Sequence, residues 1–546
     1  MPMKKLAITA VLLASIGLSG CDRPPLDSTG PSITSPLIVE MNPSGRAPLA
    51  GVARFTTNEP VRATIMVFDD DGHRFSASSG EEPATEHAIV LLGFRPNRRH
   101  MLALALEGDD GTETPAASLS IVSPELANET PPIEVTVNEP AAVEPGLTLV
   151  PIFRWINRQI DQNHSQILIV DADGEIVWQY VAPHGLYEVK RLDNGNLVYL
   201  NFGWKMTEID MLGNVVREWH PAGTQKDASA ASIPVDTDTF HHDVVVMPSG
   251  NYLSLSTEVR EIADWYSDDA ETNPDAPRVT RDVIGDVLVE FQPDGTVVNE
   301  WKFFDLIDPY RIGYGSLNPA FYEGVYEEPA PDWTHMNGIH YDAATNAALV
   351  STNHLSTVFN LDLDSGELIW MLGDPTGWRR PWRDLLLEPE VDGMIWSYHH
   401  HSPKWTPAGT MLLFDNGAVR AVPPNPPQLD PEAAFSRAVE YQIDAETGTV
   451  REVWSYGGPG DEQFLSAYIS DADWLPATGN ILVTKGGRIR DRDGNVLMFP
   501  EQGHNWITVT EVTHTTPADK VWELVIDDPR WGVAAFRTER IPGLYR

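Results

Sequence analysis

One pattern governs what this chain can fold into. An apolar run enters a Gly or Asp turn and leaves as a second run that ends in tryptophan, and the pattern recurs six times. The turn at Asp171–Gly174 leads to Trp178, the turn at Asp210–Gly213 to Trp219, and the turn at Pro293–Gly295 to Trp301. Asp364–Gly366 leads to Trp370, Glu446–Gly448 to Trp454, and Ala518–Asp519 to Trp522. Five copies are followed by a second pair of apolar runs, with turns at 194–196, 249–251, 345–346, 408–409 and 478–480. The sixth has only the terminal run GVAAFR (532–537) to supply its counterpart. Four short strands per unit and six units predict a six-bladed β-propeller over 148–546, with the tryptophans packed between blades. Long insertions at about 258–283, 305–334, 373–397 and 420–435 are expected as loops on one face of the ring, walling a pocket.

Upstream, residues 33–125 carry shorter alternating runs separated by turn signals such as Asp70-Asp71-Gly72. These predict a β-sandwich of roughly fibronectin type. The Glu-, Pro- and Val-rich stretch 126–147 reads as a linker between the two, as does the Pro/Gly/Ser-rich stretch 22–32. The expected fold class is thus all-β, a propeller preceded by a sandwich.

The first 21 residues combine Lys4 and Lys5, an apolar run from Leu6 to Leu18, and the sequence LSGC ending at Cys21. That is the layout of an exported bacterial signal peptide with a lipobox. It predicts lipidation at Cys21, attachment to a bacterial membrane and a periplasmic location. Cys21 is the sole cysteine, which excludes Cys-ligated zinc, iron–sulfur clusters and intrachain disulfides. With 38 Lys and Arg against 79 Asp and Glu, the net charge is −41. Nucleic-acid binding and a polybasic grip on anionic lipid are both excluded by that balance. The acidic stretches 264–282 and 323–332 contain no EF-hand loop and read as solvated.

Histidines are concentrated at the start of the second element in three consecutive repeats: His241 and His242 before Asp243, His335 before Met336 and Asn337, and His399, His400 and His401. In a propeller these innermost positions face one another across the central channel. Three readings are open: structurally satisfied imidazoles, a metal site holding zinc or copper, or nucleophilic catalysis with one histidine as nucleophile and others as acid or base.

The runs HSPKWTPAGTMLLFDNG (401–417), WTHMNGI (333–339) and WMLGDPTGW (370–378), with the His241-His242-Asp243 triplet, resemble the bacterial arylsulfate sulfotransferase family. The resemblance implies ping-pong transfer of a sulfuryl group from an aryl sulfate ester to a phenolic acceptor. His401 would attack sulfur to form a sulfohistidine. His335 or one of His241 and His242 would give the leaving phenolate its proton, and Asn337 would donate to a sulfuryl oxygen. No nucleotide carrier or cofactor is called for, and no Gly-rich phosphate loop is found. A homodimer is compatible with the resemblance. One departure stands out. Where the family places an arginine shortly after this motif, the chain reads Ser351-Thr352-Asn353-His354. Asn353 and His354 then line the substrate site, and a protonated His354, Lys485, Arg488 or one of Arg379, Arg380 and Arg383 is the expected substitute cation. The alternatives are a binding propeller that recognises a sugar or protein, and a metallo-propeller.

Overall fold

The computed structural model describes residues 30–545 other than 109, 110, 158, 227, 269 and 461; Cys21 and the leader lie outside the described residues. The N-terminal unit is built on one long strand, Ala50–Asp69. Its first half pairs with Ile38–Met41 and Ala84–Leu92, its second with Arg74–Ser78 and Arg99–Glu107. The change of partners falls between Thr56 and Val61, around Pro60, which has no N–H to give a ladder. Alternate residues on these strands, among them Phe55, Ile65, Val67, Ile89, Leu102 and Leu104, meet in a shared core.

Six further sheets of four or five strands follow in chain order. Innermost strands of successive sheets touch in sequence, and the strands Ile481–Arg490 and His504–Val512 of the sixth touch the strand Gly532–Ala534, so the ring closes. This is a six-bladed β-propeller. Closure uses both ends of the chain. Gly532–Ala534 and Glu539–Ile541 pair with Leu147–Ile156 as the inner edge of blade one. At the other end, Ile133–Asn138 pairs antiparallel with Lys520–Ile526 as the outer edge of blade six. The expected linker 126–147 therefore contains a structural strand. Its Ile133 and Val135 pack on the core while Glu134 and Thr136 stay outside, an alternation that the flanking prolines obscure in the sequence. The expected loop 258–283 also differs: it is largely a hairpin, because Tyr252–Tyr266 and Arg278–Phe291 stay paired out to Tyr266 and Arg278. Among the described residues no helix is long and apolar enough to cross a membrane.

The repeated tryptophans act between blades. All six are buried. Nε1 of Trp178 donates to Met211 O, that of Trp219 to Pro293 O, that of Trp454 to Thr515 O and that of Trp522 to Ala172 O. In each case the acceptor lies in the turn of the next blade. An apolar indole thus fills the gap between sheets, and its one polar atom ties them in register.

At the centre of the ring Arg537, fully buried, reaches four blades besides its own. Its guanidinium donates to Glu188 (3.1 Å) of blade two, Ser402 Oγ (2.7 Å) of blade five and the carbonyl of Asn337 (2.7 Å) of blade four. It pairs with Asp243 of blade three at 2.7 Å. Lys190 adds contacts to Glu188 (3.0 Å) and Asp243 (3.6 Å), and Lys404 bridges to Asp471 (2.8 Å) of blade six. Removing one partner of a buried pair strands the other charge. Arg537→Met leaves Glu188 and Asp243 with Lys190 as their remaining cationic partner and is expected to destabilise the protein by about 3–5 kcal/mol. Arg537→Lys keeps the charge and loses the planar fork, and is expected to fall between the two in thermal unfolding.

Candidate active site

The entry to each inner strand decides where the histidines point. Pairing is interrupted by bulges at His241/Val244, Met336/Gly338 and His401/Lys404. His242, His335, His399 and Ser402 all take left-handed backbone angles, with φ of 55°, 49°, 51° and 57°. That conformation is unfavourable for side chains other than glycine and clusters at sites of function. It turns imidazoles from three blades into one cleft, bringing His401, His242, His335, His354 and His399 together.

His401 is fixed by an amide. Its Nδ1 lies 2.7 Å from Asn416 Oδ1, while Asn416 Nδ2 donates to the carbonyls of Ser466 and Ile469, both at 2.7 Å. The amide cannot be turned without losing both donations, so its oxygen faces the ring and His401 Nδ1 must carry the hydrogen. Nε2 is left with its lone pair directed at the cleft and has no hydrogen-bond partner among the described residues. Burial drives this imidazole down to about 3, against the pull of Asn416 and with help from the positive charge of Arg537. It is neutral across the physiological range.

His335 is fixed by a carboxylate. Its Nδ1 donates to Asp332, and the paired Asp332 charge raises its affinity for a proton above the ordinary value even though burial opposes it. Its Nε2 has no hydrogen-bond partner among the described residues. His242 lies 4.7 Å from His335 by centroid, and burial, followed by the neighbouring His335, holds it well below the ordinary range. Of the pair that the sequence left open, His242 faces the cleft. His241 supports it from behind, with Nδ1 2.8 Å from His242 Nδ1 and Nε2 near Ser256 O (3.1 Å) and Asp286 (3.2 Å).

The remaining expected residues divide. His354 stacks on His335, and its Nδ1 donates to the backbone carbonyl of Asp332 at 2.7 Å; burial first, then His335, push it down to about 4. Asn353 is engaged with His399 in both directions, Oδ1 accepting from Nδ1 at 2.9 Å and Nδ2 donating to the backbone carbonyl at 3.3 Å. Asn337 is fully buried. Its Nδ2 donates to His400 O at 2.9 Å and its Oδ1 accepts from Ser351 at 2.6 Å, so it pins blade four to blade five. His400 is buried beside Asp415.

None of the distant cations expected as substitutes lies among these rings. Arg379 pairs with Asp308, Arg380 with Asp384 and Arg383 with Glu388. Lys485 lies over Phe464 and Arg488 over Trp506. Arg537, which the sequence reading did not single out, is the guanidinium beside His401 and His242. Its signal was there: one arginine in the apolar run GVAAFR on a predicted inner strand. Also missed were the aromatic walls. Phe536 lies 5.9 Å from His401 and 5.7 Å from His242 by centroid, and Phe321, on a short turn of the 305–334 insertion, lies 4.6 Å from His335 and 4.8 Å from His242.

Asp332, His335 and His354 place potential ligand atoms within 4.8 Å of one another. Their geometry does not suit a tetrahedral metal. The two rings are stacked with planes 25° apart, so their lone pairs run side by side instead of converging, and both Nδ1 atoms are committed to Asp332.

Comparison with known proteins identifies the family. Residues 134–524 match the family model of the arylsulfotransferases, and residues 38–143 match the model of the arylsulfotransferase Ig-like domain. The arylsulfate sulfotransferase AssT of Escherichia coli O6:H1 (strain CFT073) is 26% identical over 374 residues, covering 59% of this chain and 57% of that protein. AssT of Lelliottia amnigena is 28% identical over 226 residues, 34% of this chain and 37% of that protein. The aligned part thus spans well under two thirds of the length of either relative. Among solved structures, the WD40 propeller domain of Doa1 aligns with a TM-score of 0.28 at 11% identity, covering 83% of this chain and 94% of that one. BamB from Moraxella catarrhalis aligns with 0.27 at 14%, covering 70% and 99%. The family match takes in most of the propeller, and on it the chain belongs to the arylsulfotransferase family.

Proposed function

We propose that this chain transfers a sulfuryl group from an aryl sulfate ester to a phenolic acceptor by a ping-pong route through His401. The observation that carries this reading is the opposite preparation of two imidazoles in one cleft. Burial keeps His401 neutral while Asn416 fixes its tautomer with a bare Nε2, and Asp332 raises the proton affinity of His335 and leaves its Nε2 without a partner among the described residues. A nucleophile and an acid need those two states at the same pH.

In the first half-reaction the Nε2 lone pair of His401 attacks sulfur. The S–O bond to the aryl group breaks, and the departing oxygen takes the proton of His335. The sulfohistidine keeps its Nδ1–H on Asn416. In the second half, neutral His335 takes the acceptor's hydroxyl proton as its oxygen attacks sulfur, and the N–S bond breaks to restore His401. His242, backed by His241 and Asp286, is positioned to share the proton with His335. Phe321 and Phe536 offer faces to an aromatic ring. The leader sequence ending at Cys21 supports a location outside the cytoplasm, on a lipid anchor.

The test is phenol release from a chromogenic aryl sulfate, with and without a second phenol. Release that speeds up with acceptor and disappears in His401→Ala supports the reading; no release by the folded protein from any aryl sulfate sinks it in favour of a binding propeller. Asn416→Leu removes the amide that sets the ring's tautomer. It is expected to lower kcat by about 10²-fold or more, the scale on which general acid–base and orienting groups act, with the circular dichroism spectrum unchanged.

The pH profile gives a separate check. His335 acts in its protonated form, so kcat/KM should fall as pH rises through its elevated pKa. Asp332→Asn removes the cause of that elevation, and the alkaline limb should move to lower pH. The linked stability has the same sign. A raised folded-state pKa contributes stability below the unfolded value of about 6.5, and that stability is lost as pH rises through the folded one. The stability gap between wild type and Asp332→Asn is therefore expected to narrow on the alkaline side.

A further inference from the structure

One face of the N-terminal unit is turned to solvent and yet carries apolar side chains. Strands Arg74–Ser78, the second half of Ala50–Asp69, Arg99–Glu107 and Glu113–Val122 lie side by side. Side chains alternate across a sheet, and those turned away from the core fall into rows. Arg74, Phe68, Met101 and Ser120 form one row, and Ser76, Met66, Ala103 and Ser118 the next; Arg99 stands opposite Val122 beyond them. Met66 and Phe68 are 44% and 41% exposed and Val122 62%, although Ile65, Val67, Leu102 and Leu104 of the same strands already fill the core. An outward face of this kind is expected to be polar, and an apolar cluster on it marks a contact surface.

The charge of the face is opposite to that of the chain, which is −41 overall. Arg74 and Arg99 flank the apolar rows, and neither has an ion-pair partner among the described residues. The carboxylates of the face, Glu107 and Glu113, stand opposite each other at its far end, where Arg62 pairs with Glu107 at 2.7 Å. A few large apolar side chains set among serine and alanine fall short of the roughly 800 Å² per partner that a stable protein interface buries. They suit a bilayer surface, where apolar side chains enter the headgroup boundary and flanking arginines reach lipid phosphate. Two arginines are no polybasic grip, so apolar contact carries the binding and neutral lipid suffices.

The chain supplies the proximity. Cys21 and Gly30 are nine residues apart, a span of at most about 30 Å. Just beyond, Ser32 is bonded in both directions to Asn58, and Asn58 lies on the same long strand as Met66, at most about 27 Å away. A tether that short holds the face near the membrane at a roughly millimolar effective concentration, so a surface too weak to bind lipid alone is occupied.

We propose that the face carrying Met66, Phe68, Met101 and Val122, with Arg74 and Arg99, docks on the phospholipid surface that anchors the chain. This rests on reading Cys21 as the lipidated residue and is independent of the transfer chemistry. The N-terminal unit is bound to blade one through Arg95–Asp171 (2.6 Å) and Arg98–Glu175 (2.8 Å). Docking thus turns a point anchor into a surface contact that sets how the propeller stands on the membrane.

A label on the face tests this. Cys21 is the sole cysteine and lipidation consumes its thiol, so Ser120→Cys takes one nitrobenzoxadiazole fluorophore on the face and Ser249→Cys one on the propeller. The mature lipidated protein, with acylation read by mass spectrometry, is reconstituted in phosphatidylcholine vesicles with and without lipid carrying a shallow doxyl quencher. Emission at position 120 is expected to fall about twofold with the quencher and emission at 249 to stay unchanged. Two paired substitutions of outward side chains, Met66→Ser with Phe68→Ser and Arg74→Glu with Arg99→Glu, are each expected to remove most of that quenching with the circular dichroism spectrum unchanged. No quenching at 120, equal quenching at both positions, or quenching that survives both pairs overturns the proposal. A label shielded from water but not quenched overturns it too, and puts a second copy of the chain on the face. Protein without an acyl chain on Cys21 removes the anchor and the docking together; acylated protein without quenching removes the docking alone.

Discussion

The structure depends on a buried arginine that arrives last in the chain. Arg537 sits on the closing segment of blade one and is held by Glu188, Asp243, Asn337 O and Ser402 from the next four blades. A propeller has no single core; each blade buries its faces only against its neighbours. A central guanidinium with several fixed donors turns those pairwise contacts into one constraint across the ring. Desolvating so many charges is costly, and such networks often add little net stability over an apolar plug. Their effect is directional. Arg537 contacts the backbone of Asn337 and the side chain of Ser402, next to His401, so closing the ring and setting the level of the catalytic strands are the same event.

Above that network the cleft is organised by what stands behind each imidazole. Asn416 backs His401, Asp332 backs His335 and His354, His241 with Asp286 backs His242, and Asn353 backs His399. Partners of these kinds fix each tautomer and set the rings apart, because burial is common to all five and pushes every one of them toward the neutral form. His335 alone among the five moves upward, and it alone donates to a carboxylate. The division of labour in the cleft therefore comes from second partners contributed by turns and neighbouring strands, with the histidines themselves interchangeable in kind.

That explains what was legible in the sequence. The six turn-to-tryptophan units were readable because each is local, and the histidine clusters because they fall at one repeat position. The choice between His241 and His242 was not, since it depends on a bulge and on Asp286, more than forty residues away. Asp332 could be seen three residues before His335 but reads as one more acid in a solvated run. Arg537 was visible in GVAAFR, yet its partners are spread from Glu188 to Ser402, and nothing local joins them. Ile133–Asn138 was masked by its prolines, and its role as an outer strand exists only once the ring closes on itself. Apart from Asp332, what escaped was long-range.

Burial and the neighbouring His335 keep His354 neutral at physiological pH, so it does not add to the repulsion already imposed on His401 by Arg537 and His335. Five imidazoles within one cleft remain compatible with a neutral nucleophile only if most of them are uncharged at rest. His354 meets that condition through a carbonyl partner where a carboxylate would have failed it, and the stacked His335 meets the opposite need through the side chain of the same aspartate.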